Sequence, residues 1–341
     1  MQAGIVGCGV YIPRLRIKRE EYQRAWGYSP RWIEEKSVAD FDEDSITMGV
    51  EAASNALRDA KVDAPEIDAM YFASTSPPYA EKQNASTIAT ALGCRSDTAT
   101  ADITSSTKSG VSALLSCLDL VGSGRGRFGF VVAADCPLGD PTGALEHQLG
   151  AGAAAMIVGT ERIRGLVEGS FSIVSESLGE RFRRESQSYV TTIDLGSYHE
   201  AVLGEVVTSC VKGMMEKLQR SPKDYDWIVL EGIDVGKALE LCKKLGFEDS
   251  KIEPNIISRK IGDAGAASSL IALSKVLGSA LPGQHVILCS YGAGAGADAM
   301  SLAAGENVGQ VTGLGYEDYL AQKEYVDYTT YIKLRRILGR H

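Results

Sequence analysis

A run of hydroxyl side chains, Thr-Ser-Ser-Thr, occupies residues 104–107 and is followed by Lys108-Ser109-Gly110. The small and apolar residues that come next predict a helix, so the hydroxyls stand at its N-terminus. A helix N-terminus favours a developing negative charge, which would assist Ser106 or Thr107 as a nucleophile. Serine and threonine also cap helices through their side-chain oxygens, and capping is the alternative interpretation.

A glycine-rich loop, Gly292-Ala293-Gly294-Ala295-Gly296, follows the predicted strand 286–290. Glycines let backbone N–H groups approach a substrate oxygen closely, as an oxyanion hole requires, so Gly292, Gly294 and Gly296 are candidates for that role. A tight turn that needs positive φ explains the same residues, and both interpretations stay open.

Other motifs favour structural roles. The segment Gly4-Ile5-Val6-Gly7-Cys8-Gly9 resembles a dinucleotide-binding fingerprint, but the third glycine and the following helix are missing, so we predict a strand-to-loop turn. The acidic run 40–44 predicts a solvated loop that brings acid to the next helix N-terminus. His147 and His199 have no nucleophile paired with them in the sequence, and structural or surface roles are predicted for both.

Composition narrows the classes of function. The 341 residues carry a net charge of −9 with a pI near 5.1, which argues against nucleic acid or an anionic membrane as the main partner. Seven cysteines are dispersed without a C-x-x-C pair, which indicates reduced thiols, and no zinc or other metal site is predicted. No apolar run approaches the roughly 20 residues of a membrane helix and no leader is recognised, so a cytoplasmic location is expected.

Short apolar runs alternate with amphipathic stretches along the chain, which predicts an α/β layered fold. Strands are predicted at 5–6, 69–73, 130–133, 155–158, 228–230 and 286–288, and a helix at 46–57. Several features recur at an offset of roughly 155–160 residues, which suggests a duplicated unit. We therefore predict two halves, residues 1–165 and residues 166–341, with loops from both meeting at one site.

The chain resembles hydroxymethylglutaryl-CoA (HMG-CoA) synthase, particularly its short archaeal form, within the thiolase superfamily that also contains β-ketoacyl-ACP synthase III. Matching segments extend over essentially the whole chain and include Gly4–Gly7 with Tyr11–Arg14, Phe41–Asp44, Pro78–Ala80, Ala151–Ala153, Lys244–Phe247, Ser268–Leu270, Tyr291–Gly296 and Tyr325–Arg336. The resemblance implies the duplicated thiolase fold, five layers deep (αβαβα), and a homodimer. It implies acyl-CoA or CoA as a substrate and no covalently bound cofactor.

The resemblance also implies where the family's catalytic residues would lie, and each position differs. Thr107 stands where the family has its nucleophilic cysteine, with Ser106 beside it, and Thr75 stands where it has its glutamate base. Glu231 replaces the histidine, and Asp263 replaces the asparagine. A threonine hydroxyl ionises far above neutral pH and needs an adjacent base to act as a nucleophile, so these positions are degenerate counterparts of the catalytic set.

A closer resemblance is to the HMG-CoA-synthase-like subunit of diacetylphloroglucinol-type acetyltransferases, carried by Thr75, Ser109-Gly110, Ser221-Pro222, Gly262–Gly265 and Tyr325–Tyr328. It implies a thiolase-family partner that carries the working cysteine, and a small OB-fold/zinc-ribbon protein that bridges the subunits. The first hypothesis is therefore an accessory subunit of a multiprotein acyltransferase. The alternatives are an active acyl-CoA condensing transferase, using Thr107, Ser106 or direct transfer, and a stand-alone acyl-CoA-binding homodimer.

Overall fold

The alternating apolar pattern folds as predicted into strands covered by helices. A computed structural model describes residues 2–29, 31–193, 195–309 and 312–337. The strands are β1 Gly4–Tyr11, β2 Leu15–Lys18, β3 Glu35–Val38, β4 Ala69–Ser74, β5 Ala99–Thr104, β6 Gly129–Asp135, β7 Gly152–Gly159, β8 Gly165–Ile173, β9 Trp227–Glu231, β10 His285–Gly292, β11 Gly296–Ala304 and β12 Glu324–Tyr325. The α-helices are α1 Arg19–Trp26, α2 Ser45–Ala60, α3 Asn84–Leu92, α4 Ser109–Gly122, α5 Ser197–Lys217, α6 Val235–Lys244, α7 Asp249–Ile252, α8 Ser258–Ile261, α9 Ser268–Ser279, α10 Tyr316–Ala321 and α11 Tyr328–Leu334.

Nine strands form one sheet in the order β5-β4-β6-β7-β1-β8-β11-β10-β9. In one series, β1 pairs antiparallel with β7, β7 antiparallel with β6, and β6 parallel with β4. The other series repeats this pattern: β8 pairs antiparallel with β11, β11 antiparallel with β10, and β10 parallel with β9. The two series join antiparallel where β1 meets β8. A repeated strand order of this kind is what a duplicated unit produces, while the boundary at residue 165 stays a prediction.

Three apolar clusters define the layers. Helices α4 and α9 share the central cluster with residues from both halves of the sheet. Helices α2 and α3 cover the outer face of the first half, and α5 and α6 cover the outer face of the second. With the two halves of the sheet counted as separate layers, the order helix, half-sheet, helix, half-sheet, helix is the five-layered arrangement expected for this fold. It brings the N-termini of α4 and α9 toward the same region of the sheet.

The glycine motif at the start of the chain does not form the predicted strand-to-loop turn. Strand β1 continues through it to Tyr11. A Cβ on Gly7 would lie 2.9 Å from the Cα of Ala60, and one on Gly9 would collide with the backbone of Ala52. The glycines therefore allow helix α2 to pack directly against the strand, a contact between distant segments that a local turn signal does not reveal.

Two local features hold the edges of the fold. Asp44, at the end of the acidic run, caps α2 by accepting hydrogen bonds from the backbone N–H groups of Ile46 and Thr47, as predicted. Strands β12, β2 and β3 form a small second sheet whose apolar cluster includes Tyr328 and Tyr331 of α11. Across the described ranges, no helix is both long and apolar enough to cross a membrane.

Candidate functional site

The N-terminus of α4 meets the end of β10 through Thr107 and Ser106. The Thr107 side chain is buried, and its Oγ1 donates a hydrogen bond to the Tyr291 carbonyl at 3.0 Å. A Cβ on Gly292 would collide with Ser106 Oγ, so the glycine permits this close approach. The structure thus brings together the predicted nucleophile positions and the glycine-rich loop. The hydrogen bond from the Thr107 hydroxyl, however, goes to a carbonyl oxygen and not to a base.

The glycine-rich loop closes the β10–β11 hairpin. Gly294 and Gly296 have φ values of +74° and +100°, in the region that favours glycine. The Ala295 N–H donates to the Gly292 carbonyl at 2.8 Å within this turn. The turn interpretation therefore accounts for Gly294 and Gly296, and the oxyanion role of the three glycines stays a prediction.

Thr75 lies at the end of β4 and is held by a buried carboxylate that the sequence analysis missed. Asp135, at the end of β6, accepts hydrogen bonds from the Thr75 hydroxyl at 3.0 Å and from the Thr75 N–H at 2.8 Å. It also accepts bonds from Ser74, Ser76 and the N–H of Ala266. Burial raises the pKa of Asp135, although these hydrogen bonds oppose the rise. Asp135 therefore ties two strand ends to the turn before α9.

Glu231 ends β9 and is buried. Its carboxyl group accepts hydrogen bonds from Ser258 Oγ at 2.8 Å and from the Ile257 N–H at 3.3 Å. Burial raises the pKa of Glu231 to about 8, assisted by the charge of Asp263, while the two hydrogen bonds lower it. A carboxyl group with such a pKa exchanges protons near neutral pH, as a general acid or base must.

Asp263 precedes α9 and forms an ion pair across the site. Arg181, in the segment between β8 and α5, donates from Nη1 to Asp263 Oδ2 at 2.5 Å. The Gly265 N–H and the Ser268 hydroxyl also donate to this carboxylate. Burial would raise the pKa of Asp263, but Arg181 and these hydrogen bonds bring it below its ordinary value.

Three adjoining cavities surround these residues. The inner cavity, about 440 Å³, is lined in part by Thr75, Ser106 and Thr107. The middle cavity, about 140 Å³, is lined in part by Gly232, Ser258 and Asp263. The outer cavity, about 440 Å³, is lined in part by Tyr28, Arg31, Trp32 and His147.

Shared lining residues show that the three cavities adjoin in sequence. Arg181 and Ala293 line both the inner and the middle cavity. Ile33, Gln148 and Asp234 line both the middle and the outer cavity. The series therefore extends from the start of α4 to an aromatic and basic outer end.

The structure thus gathers most of the predicted residues around one channel. Thr75, Ser106, Thr107 and Asp263 line its cavities, whereas Glu231 lies one layer behind Ser258. Residues without a local sequence signal complete it: Arg181, Trp32, Asp135, Ser258 and the carbonyl of Tyr291.

The two histidines make their described contacts away from Thr107. Burial lowers the pKa of His147 to about 4, and the nearby charge of Lys36 adds to the effect. His199 Nδ1 lies 2.9 Å from Ser177 Oγ, and its Nε2 lies 2.8 Å from the Ile193 carbonyl oxygen. Within the described residues, no group of three His, Cys, Asp or Glu side chains could hold a metal ion.

Comparisons with known proteins agree with this architecture. Residues 215–303 match the family described as 3-oxoacyl-[acyl-carrier-protein] synthase III C terminal. The chain is 38% identical to the hydroxymethylglutaryl-CoA synthase of Thermococcus sibiricus, over 97% of this chain and 95% of that protein. It is 36% identical to that of Methanopyrus kandleri, over 99% and 98% of the two chains.

Solved structures confirm the thiolase-type fold. MvaS in complex with 3-hydroxy-3-methylglutaryl coenzyme A is similar with a TM-score of 0.89 at 20% identity, covering 100% of this chain and 92% of that one. The 3-oxoacyl-[acyl-carrier-protein] synthase III of Aquifex aeolicus has a TM-score of 0.78 at 21% identity, covering 88% and 99%.

Proposed function

We propose, because this chain belongs to the hydroxymethylglutaryl-CoA synthase family, that its three cavities bind an acyl-CoA thioester for acyl transfer without an acyl-cysteine intermediate. The observation that carries the proposal is the series of adjoining cavities from Trp32 to Thr107. A nucleotide-bearing thioester is a long ligand with an aromatic, anionic head at one end and a reactive thioester at the other. The adjoining cavities offer aromatic and basic side chains at one end and hydroxyl side chains at the other.

The outer cavity has the chemistry of the nucleotide end. The Arg31 guanidinium lies 5.0 Å from the Trp32 ring centroid, and Arg259 lies 5.9 Å from the same ring. Aromatic and guanidinium planes stack on purine rings, and guanidinium groups bind phosphate. The thioester would then reach through the middle cavity to the inner one.

The reactive end supports direct transfer. The Thr107 hydroxyl donates to a backbone carbonyl, and no described side chain accepts its hydrogen bond. The group suited to proton exchange is Glu231, which reaches the middle cavity through the Ser258 hydroxyl. We assign the acyl-acceptor proton to this pair: when Glu231 is ionised, Ser258 would receive the proton from the acceptor and pass its own proton to the Glu231 carboxylate.

Ligand titration tests the binding step. Isothermal titration calorimetry of the purified chain with CoA and acetyl-CoA should show binding that Trp32→Ala weakens about tenfold, because stacking contributes about 1–3 kcal/mol per base. The matched control, Trp26→Ala, changes a tryptophan that packs on Tyr328, outside the three cavities. Failure of both CoA and acetyl-CoA to bind would refute the proposed function.

Turnover tests the chemical step. Release of CoA from acetyl-CoA and acetoacetyl-CoA by the chain alone should survive Thr107→Ala and fall in Ser258→Ala. Loss of all release in Thr107→Ala would show that a covalent acyl-threonine forms after all.

An exposed apolar surface favours a second candidate, the accessory subunit of a multiprotein acetyltransferase. Five exposed large apolar side chains lie between the end of β8 and the start of α5, in a segment that partly lines the inner cavity: Val174, Leu178, Ile193, Leu195 and Tyr198. Exposed apolar patches beside a site are typical of surfaces that bind another protein. The expected partners are a thiolase-family subunit and the OB-fold/zinc-ribbon protein, in addition to a second copy of this chain.

Reconstitution distinguishes the two candidates. If the chain is accessory, acyl transfer will need the thiolase-family and OB-fold proteins, and Leu178→Glu will weaken their association. Leu281→Glu is the matched control, since Leu281 is 65% exposed against 67% for Leu178 but lies before β10. Turnover by the chain alone would exclude the accessory role. Mass measurement by light scattering would show whether the chain is a homodimer in either case.

A further inference from the structure

The inner cavity is basic although the protein as a whole is acidic. Its charged lining residues are Lys82, Arg181, Arg183 and a single acid, Asp102, in a chain of net charge −9. The Asp102 carboxylate accepts hydrogen bonds from the N–H groups of Asn84 and Ala85 and from Asn84 Nδ2, so it is occupied at the start of α3. The remaining charge of the lining is positive.

Arg181 is paired with Asp263, whereas the contacts described for Arg183 and Lys82 involve no carboxylate. Arg183 donates to the backbone carbonyls of Thr75 and Gln187, at 3.1 and 3.2 Å, neither of which is a carboxylate. Lys82 lies 4.5 Å from the Tyr79 ring centroid. A cavity with these walls attracts an anion more strongly than it does a neutral acetyl group.

Arg181 is oriented to recognise such an anion. Its Nη1 is fixed by Asp263, which sets the plane of the guanidinium. Its Nη2 is enclosed but has no hydrogen-bond partner among the described residues. A buried donor without an acceptor costs about 1–3 kcal/mol, which an oxygen atom of a ligand would recover once the guanidinium turns Nη2 toward the cavity.

The chemistry of a guanidinium selects a class of ligand. Its planar fork suits a carboxylate, with which it forms strong charge-assisted hydrogen bonds. The helix N-terminus and the hydroxyls of residues 104–106 add further donors to the same cavity, whereas the Thr107 hydroxyl already donates to the Tyr291 carbonyl.

From these contacts we infer that the inner cavity binds the carboxylate of a substrate, and that Arg181 is the residue that recognises it. This inference rests on the proposed function, since it names the class of acyl group or acceptor that the site takes. The carboxylate belongs either to the acyl chain of the thioester or to a free carboxylic acid acceptor.

A pair of thioesters that differ in one group tests the inference. Succinyl-CoA and 4-oxopentanoyl-CoA are nearly isosteric, with a carboxylate oxygen in the first replaced by a methyl group in the second. Calorimetry with the full chain should show succinyl-CoA binding about tenfold more tightly. Titration with free succinate in the presence of CoA then distinguishes the two sources of the carboxylate.

The variants are chosen so that folding does not obscure the result. Arg181→Gln alone would leave Asp263 buried without its cation, so it is combined with Asp263→Asn. The double variant should bind both thioesters equally. Arg184→Gln, an exposed arginine of the same segment outside the cavity lining, should keep the tenfold preference.

Three results would overturn the inference. Equal binding of the two thioesters by the unaltered chain would refute it and leave the proposed function intact. Inorganic phosphate displacing succinyl-CoA as well as succinate does would show a general anion site instead. Failure of CoA and of both thioesters to bind would refute the proposed function itself.

Discussion

The buried carboxyl group of Glu231 should make the stability of this protein fall with rising pH, and Glu231→Gln should remove that effect. Burial raises the pKa of Glu231 from 4.5 to about 8 in the folded protein. In the unfolded chain the group returns to its ordinary pKa. Between these two values the folded state keeps a proton that the unfolded state has released, so the free energy of unfolding decreases as pH rises.

The size of the effect follows from the shift. Each pH unit in this interval costs about 1.4 kcal/mol, and the whole interval from 4.5 to about 8 costs about 5 kcal/mol. Glutamine keeps the shape of the protonated acid and does not ionise. Glu231→Gln should therefore match the unaltered protein near pH 4.5 and exceed its stability by about 4 kcal/mol near pH 7.5.

Other buried groups titrate in overlapping ranges with the opposite sign. The pKa of His147 is lowered from 6.5 to about 4, and that of Lys36 from 10.5 to about 7, mainly by burial. For both, the unfolded chain binds more protons, so stability rises with pH between the paired values. Because these contributions are the same in both proteins, the difference between variant and unaltered protein isolates Glu231.

Urea unfolding measured from pH 4.5 to 8.5 gives that difference curve. Glu200→Gln, an exposed glutamate on α5, is the control and should give a flat difference. A flat curve for Glu231→Gln as well would refute the reasoning, because it would mean that the Glu231 carboxyl group ionises normally in the folded protein.

Two further predictions concern packing and the Asp135 network. Gly9→Ala should lower the free energy of unfolding by about 2–4 kcal/mol, because its Cβ would overlap the α2 backbone. Gly204→Ala on α5, where a Cβ would make only an ordinary contact with Leu241 at 3.8 Å, should leave the free energy of unfolding unchanged or raise it by up to about 1 kcal/mol in urea unfolding. Asp135→Asn should cost about 3 kcal/mol in the same measurement, because an amide cannot accept all the hydrogen bonds that the carboxylate receives from Ser74, Thr75 and Ala266. A loss below about 0.5 kcal/mol in either Gly9→Ala or Asp135→Asn would contradict the corresponding argument.

The elements that the sequence predicted well are those with large apolar side chains. Strands β6 and β10 and helix α2 have clear periodicity and lie where expected. Strand β11 was missed because its alanine-rich sequence, GADAMSLAA, carries no strand propensity of its own. It is a strand because it pairs with β10 on one side and β8 on the other, which tertiary structure alone decides.

The candidate site shows the same division. Thr107, Thr75, Glu231 and Asp263 were predicted because a family resemblance fixed their positions. Arg181 could not be predicted in this way, because its partner Asp263 lies 82 residues away in sequence and neither residue belongs to a local motif. The resemblance predicts which residues stand at the family's catalytic positions. The contacts that those residues make depend on the folded chain.

A cysteine at position 107 would separate loss of the nucleophile from loss of the binding channel. In Thr107→Cys, the thiol would lie at the N-terminus of α4, where the helix dipole favours the thiolate. If the channel admits acetyl-CoA, this variant should acquire an acetyl group slowly, as seen by mass spectrometry of the intact chain. Ser116→Cys, on the exposed side of the same helix, should acquire none. Thr107→Cys that binds acetyl-CoA but is never acetylated would show that the bound thioester does not reach residue 107, and the proposed path through the middle cavity would then be wrong.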